Sequence, residues 1–128
     1  MNTDYTYLNH LQDLIAQELQ RIEEMKAAED FLDYSKLDTI VVGLAAGDGI
    51  GPVIMEQTKR VLSHLLEDEI ASHRVELREI EGLTLENRVA KMQSVPDDVM
   101  AEIKACHVIL KGPTTTPQKG DGRPNVES

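Results

Sequence analysis

The apolar residues among the first 36 positions recur every three or four residues, the spacing of one face of an α-helix. Acidic residues such as Glu23, Glu24 and Glu29 cover much of the remaining surface. We therefore predict an amphipathic helix within an N-terminal extension, residues 1–36. Its apolar stripe consists of Leu8, Leu11, Ile15, Leu19, Ile22 and Met25.

This stripe fits two arrangements, and the sequence leaves both open. An amphipathic helix either lies on its own domain or pairs its apolar face with a helix of a partner chain. Glu18 occupies one position of a possible heptad, which weakens a strict coiled coil. The acidic polar face disfavours a membrane surface, where basic residues are preferred.

From residue 37 the pattern alternates between strand-like and helix-like segments. Residues 39–44 and 107–110 are apolar runs that predict strands buried on both faces, whereas residues 75–80 alternate apolar and charged side chains and predict a strand with one wet face near a sheet edge. Helices are predicted from Pro52 onwards, over residues 83–92, and from Pro96 to about residue 105.

Alternation of strands and helices requires parallel strands joined by right-handed crossovers. We predict a partial α/β domain over residues 37–128, with three layers (α/β/α), a short, mostly parallel sheet, and the first strand between the other two. The helix that begins at Pro52 is expected to face the sheet with Ile54, Met55, Thr58, Val61, Leu62, Leu65 and Leu66.

The net charge and the cysteine content exclude several classes of partner and indicate the cellular compartment. The formal net charge of −10 argues against nucleic acid or an anionic membrane as a partner. The single cysteine, Cys106, excludes an intramolecular disulfide and suits a reducing compartment. Neither a membrane-spanning run nor a secretory signal is evident, so we expect a soluble cytoplasmic protein. Cys106 and His107 are adjacent on a predicted strand and should face opposite sides, which disfavours a shared metal ion.

The first segment with candidate chemistry is the glycine turn, residues 47–51, which joins a strand to a helix. Glycines permit close approach of a ligand, and the helix start offers amide hydrogens. However, the spacing differs from the Gly-x-Gly-x-x-Gly dinucleotide fingerprint, and Asp48 opposes a phosphate. The residues alone leave a functional and a purely structural turn equally open.

The second candidate is the threonine loop, residues 111–117, which follows the third strand. Ligands of open α/β sheets collect beyond strand carboxyl ends, so this loop and the glycine turn are expected to flank one crevice. A lysine and three hydroxyls suit a carboxylate, an amide or a phosphate. The alternative is a proline-bracketed loop whose threonines are merely solvated.

Taken together, these segments resemble a known family. Three segments come in the order found in the NAD(P)-dependent β-decarboxylating dehydrogenases, the isocitrate/isopropylmalate dehydrogenase family. They are Gly47-Asp48-Gly49-Ile50-Gly51-Pro52 after an apolar strand, the loop Lys111–Pro117 and the segment 124–128. The resemblance covers about residues 38–128, and the threonine loop has the isocitrate dehydrogenase form. Residues 1–36 lie outside it.

The resemblance implies a role for several positions. Ile50 would line the cofactor side of the cleft, and Ser128 would bind a substrate carboxylate. The cofactor would be NAD or NADP, approached by Lys111, Thr114, Thr115 and Thr116.

The resemblance also implies what this segment does not contain. In the family, substrate-binding arginines, a catalytic tyrosine and lysine, and the aspartates that hold Mg²⁺ or Mn²⁺ follow later. Without these groups, oxidation and decarboxylation of a 2-hydroxy acid are not expected. We assign no catalytic residue and no metal ligand here. The chain either works with a complementary dehydrogenase chain, is a non-catalytic binding or regulatory protein that reuses the fold, or is an inactive remnant.

A short sheet with open edges leaves apolar surface to be covered. The N-terminal helix either folds back on its own sheet or crosses to a second copy. We expect the crossing arrangement, a homodimer or a larger homo-oligomer, because so long a helix exceeds one face of a three-stranded sheet.

Overall fold

The structure is a computed structural model that describes residues 5–28, 32–118 and 120–126. The chain divides into two compact units, Met1–Ser35 and Lys36–Ser128. The first unit contains α1 (Tyr5–Ala27). The second contains a three-stranded sheet and four helices within the described ranges: β1 (Ile40–Ala45), α2 (Gly51–Leu65), α3 (Glu67–Ala71), β2 (Val75–Glu79), α4 (Leu85–Lys91), α5 (Asp97–Lys104) and β3 (Val108–Lys111).

The α1 helix presents its predicted apolar stripe as exposed side chains. Leu11 and Ile15 each expose 52% of their surface, and Leu8 and Leu19 expose slightly more. The polar surface carries ion pairs within the helix. The guanidinium of Arg21 donates to Glu18 at 2.9 Å and thereby lowers the pKa of that carboxyl.

The sheet is parallel, with strand order β2-β1-β3. Ile40 pairs with Val75 on one side of β1, and Val42 pairs with Val108 on the other side. The predicted α/β class and the central position of the first strand are confirmed. β2 lies at an edge, as its alternating pattern predicted.

The connection β1–β2 contains α2 and α3, and the connection β2–β3 contains α4 and α5. The two connections run in opposite directions along the sheet, so right-handed crossovers place their helices on opposite faces. The core lies between the sheet and α5, where Ala45, Ile80, Leu83 and Val99 are buried. Gly43 belongs to the same face, because a Cβ there would lie 2.7 Å from the side chains of Ile80 and Ile109.

β3 differs from its prediction as a strand buried on both faces. Val108 exposes 40% of its surface, and Ile109 and Leu110 are only half-buried. Among the described strands β3 pairs with β1 alone, so one edge and part of one face stay open. An apolar run shows that a strand is suited to burial, but its neighbours decide how much of it is covered.

The α2 helix also differs from its prediction. Ile54, Val61 and Leu65 were expected to face the sheet, yet they expose 50%, 57% and 68% of their surface. The predicted Met55, Thr58, Leu62 and Leu66 are half-buried, together with Lys59, which was not predicted. Apolar residues cover more than half of the helix circumference, so their spacing does not select the inward face.

None of the helices in the described ranges combines the length and hydrophobicity that a bilayer crossing requires.

A pair of valine substitutions tests the position of the core. Val99→Ala removes methyl groups from a side chain that is 3% exposed and should lower the free energy of unfolding by about 2 kcal/mol. Val61→Ala makes the same change on an exposed helix surface and should stay within about 0.5 kcal/mol of the parent. Urea unfolding followed by circular dichroism measures both. Equal costs for the two substitutions would contradict this assignment of the core.

Candidate functional site

Two loops meet at the carboxyl edge of the sheet, because β1 and β3 are parallel neighbours. β1 leads into the glycine turn, and β3 leads into the threonine loop. The amide of Gly112 donates to the carbonyl of Ala45 at 2.7 Å, and the amide of Asp48 donates to the carbonyl of Pro113 at 2.7 Å. The two loops therefore form one continuous wall.

The glycines of this wall are required by the close approach of the two backbones. A Cβ on Gly47 would clash with the carbonyl oxygen of Pro113, and Gly47 also has a positive φ of 74°. A Cβ on Gly112 would clash with the carbonyl oxygen of Ala46. Gly49 has a positive φ of 59° but faces open space. Gly47 and Gly112 thus serve loop-to-loop packing, which accounts for part of the glycine pattern without a ligand.

The carboxylate of Asp48 holds two further segments to the turn. Its Oδ1 accepts from the amide of Leu85 at 2.8 Å, and its Oδ2 accepts from the amide of Thr115 at 2.8 Å. The first contact fixes the start of α4, where a negative charge is favourable. The second fixes the threonine loop. Both oxygens face the protein backbone, so the acid that seemed to oppose a phosphate has a positioning role.

Arg88 is the residue of this region that the sequence did not single out. Its side chain is fully buried, and its guanidinium donates to the carbonyls of Ser94 at 2.8 Å, Thr115 at 2.9 Å and Val126 at 2.7 Å. A carboxylate oxygen of Asp48 lies 3.9 Å away. One signal could have found this residue: Arg88 shares a helix face with Leu85 and Val89, where an apolar side chain is expected.

The predicted cofactor residues line the outside of the wall. Ile50 precedes α2 and exposes 63% of its side chain. Lys111 folds onto its own loop, with Nζ 3.1 Å from the hydroxyl of Thr114 and 3.1 Å from the carbonyl of Gly112. Thr115 and Thr116 are exposed. The structure therefore brings the threonine loop beside the turn that carries Ile50, whereas Ser128 lies outside the described residues.

A separate cleft of about 500 Å³ opens on the α2 side of the sheet. Its lining includes Leu44, Gly47, Met55, Glu81 and Thr84, and excludes Ile50 and the threonine loop. The predicted residues thus form an open wall rather than the lining of this cleft. Among the described residues, no three histidine, cysteine or acidic side chains are grouped as a metal ion would require.

Comparisons with known proteins identify the family to which most of the chain is similar. The model of the isocitrate/isopropylmalate dehydrogenase family matches residues 41–127. The chain is 33% identical over 88 residues to the isocitrate dehydrogenase [NADP] of Caldococcus noboribetus. The matched region is 67% of this chain and 20% of that protein, so the chain spans about a fifth of the relative's length. No solved structure matches the chain.

Two glycine substitutions test the packing of the wall. Gly49→Ala adds a methyl group in open space and should lower the free energy of unfolding by about 1–2 kcal/mol, the strain of a left-handed backbone. Gly47→Ala carries the same strain and also pushes against the Pro113 carbonyl, so it should cost about 1–3 kcal/mol more. Urea unfolding of the two variants measures the difference. Equal costs would mean that the two loops are not in contact in solution.

Proposed function

The chain belongs to the isocitrate/isopropylmalate dehydrogenase family, and we propose that its carboxyl-edge wall forms the nicotinamide-nucleotide side of a site that oxidises and decarboxylates a 2-hydroxy acid. The observation that supports this proposal is the joining of the glycine turn and the threonine loop by Asp48 and Pro113. The two segments that carry the family resemblance thereby share one surface at the end of the sheet where open α/β folds bind ligands.

Each predicted site residue has a proposed part in binding. Ile50 offers an apolar contact to the cofactor, and Thr115 or Thr116 offers a hydroxyl close to the nicotinamide and the substrate. Lys111 and Thr114, which hydrogen-bond each other, supply a positive charge and a further hydroxyl. Ser128 is proposed to bind a substrate carboxylate. A bound nicotinamide would supply the hydride acceptor for the substrate's oxidation. NADP is the first cofactor to test, because the relative's name specifies it.

We propose that these 128 residues do not turn over substrate by themselves. In the family resemblance, the catalytic tyrosine and lysine and the metal-binding aspartates follow the segment that this chain matches. A complementary dehydrogenase chain would supply the acid/base pair and the ligands for Mg²⁺ or Mn²⁺. The unpaired thiol of Cys106 is consistent with a reducing cytoplasmic location.

A non-catalytic binding or regulatory protein is the second candidate, and the exposed stripe of α1 favours it. Leu8, Leu11, Ile15 and Leu19 form an apolar surface that needs no cofactor to act as a contact site. We propose that this stripe associates with a second copy to give a homodimer or larger homo-oligomer. Glu18, which accepts from Arg21, occupies one position of the possible heptad and limits the register of such a pair.

Titration with NADP⁺ tests the cofactor proposal. We expect the amide signals of Ile50 and of residues 114–116 to shift in nuclear magnetic resonance spectra, with a Kd of about 1 mM or weaker, because one wall provides few contacts. Lys111→Met should weaken the affinity further, whereas Lys104→Met, a matched change on the exposed end of α5, should leave it unchanged. With isocitrate and Mg²⁺ present, NADPH formation should stay at the level of the blank.

Three outcomes would count against this proposal. Micromolar affinity would mean that the crevice is more complete than a single wall. Metal-dependent turnover above the blank would contradict the need for a complementary chain. No shift at Ile50 or in the threonine loop would reject the cofactor wall and favour the binding protein.

Substitutions in α1 test association. Leu11→Asp combined with Ile15→Asp, or deletion of residues 1–34, should yield monomeric or insoluble protein, because charges in the stripe oppose its burial. Light scattering on the parent and the variants measures the molar mass. Gln17→Asp adds a charge on the polar surface of the same helix and should keep the parent's mass. A parent chain that remains monomeric at high concentration would refute the proposal.

A further inference from the structure

Arg88 contacts three segments that are far apart in the chain. Its guanidinium donates to the α4–α5 connection at Ser94, to the threonine loop at Thr115, and to Val126, which precedes the segment that ends at Ser128. Thr115 and Val126 are 27 and 38 residues away from Arg88 in the sequence. A single side chain of α4 therefore contacts both segments.

Filling space does not account for an arginine at this position. The side chain is 0% exposed, and burying a cation without partners is strongly unfavourable. An apolar side chain would fill the same volume without that cost. What arginine adds is a planar group with five donors in fixed directions, which can hold three carbonyls in one relative geometry. A lysine ammonium lacks that fixed fork.

The threonine loop is held by both polar groups of one residue. The amide of Thr115 donates to Asp48, and its carbonyl accepts from Arg88. The peptide planes on both sides of Thr115 are thereby oriented, while its side chain remains exposed. Val126 is held through its carbonyl, and its side chain is 3% exposed.

From these contacts we propose that Arg88 is a positioning residue that fixes both the threonine loop and the segment at Val126. Of these two segments, Asp48 contacts only the threonine loop, and its other contact is with the start of α4. The description of that edge as a nucleotide-binding wall rests on the proposed function, whereas the positioning itself does not. Loss of the guanidinium should free both segments. Loss of the Asp48 carboxylate should free the threonine loop and leave Val126 in place.

Nitrogen-15 relaxation of the full chain tests this difference, because order parameters report on the folded state and not on global stability. In the parent chain we expect values of about 0.85 in β1, in residues 114–116 and in residues 124–126. Arg88→Met and Arg88→Lys should lower the order parameters of both segments to about 0.6 or less and leave those of β1 unchanged. Of these two segments, Asp48→Asn should lower the order parameters of residues 114–116 only. Arg60→Met, which removes an exposed arginine of α2, is the matched control and should change neither segment.

Parent-like order in both segments of Arg88→Lys and Arg88→Met would overturn the proposal. If Arg88→Met fails to fold, Arg88→Lys alone decides the question. Parent-like order parameters in both segments would refute positioning by the guanidinium fork, and lowered order parameters in both segments would support it. Loss at Val126 in Asp48→Asn would also refute the division of roles. The measurement contains no nucleotide, so a failed NADP⁺ titration would reject the proposed function and leave these values as they are.

Discussion

The carboxyl edge of the sheet depends on two opposite charges that lie inside the protein, Asp48 and Arg88. The side chain of Asp48 is 10% exposed and that of Arg88 is 0% exposed. Loops that follow parallel strands leave the sheet ladder, so their amides and carbonyls need other partners. Thr115 lies in such a loop: Asp48 accepts from its amide, and Arg88 donates to its carbonyl. Asp48 also accepts from the amide of Leu85 at the start of α4, and Arg88 also donates to the carbonyls of Ser94 and Val126. A guanidinium nitrogen of Arg88 lies 3.9 Å from a carboxylate oxygen of Asp48, so the two opposite charges are close enough to attract each other.

In this arrangement backbone groups hold the loops in place, and exposed side chains remain for the proposed binding. The backbone of Thr115 is used on both sides, yet its side chain is exposed. Among the described residues, every buried side-chain nitrogen and oxygen has a hydrogen-bond partner, so the charged edge carries no unsatisfied group. Ile50 is likewise exposed on a turn whose neighbouring Gly47 is fixed by packing. A wall whose backbone is already satisfied can present its side chains to a ligand without reorganising.

The small core leaves several apolar side chains of both units exposed. Val53, Ile54, Val61 and Leu65 of α2 expose between 50% and 68% of their surface, and the stripe of α1 is exposed to a similar degree. Continuous apolar stripes of this kind mark contact surfaces more often than ordinary exterior. Both stripes are therefore candidate contact surfaces for the proposed association, whereas the candidate chemistry lies at the carboxyl edge of the second unit.

The sequence by itself determined the class of the fold, the parallel order of the strands and the meeting of the glycine turn with the threonine loop. These features follow from local patterns: apolar runs, alternation of period two, and the fixed hand of crossovers. The exposure of Ile54, Val61 and Leu65 of α2, the exposure of β3 and the roles of Asp48 and Arg88 were decided only by the tertiary structure. Asp48 meets Leu85 and Thr115 across 37 and 67 residues of chain. A hydrogen bond over such a separation leaves no periodic trace in the sequence, because its partners become neighbours only after the sheet has assembled.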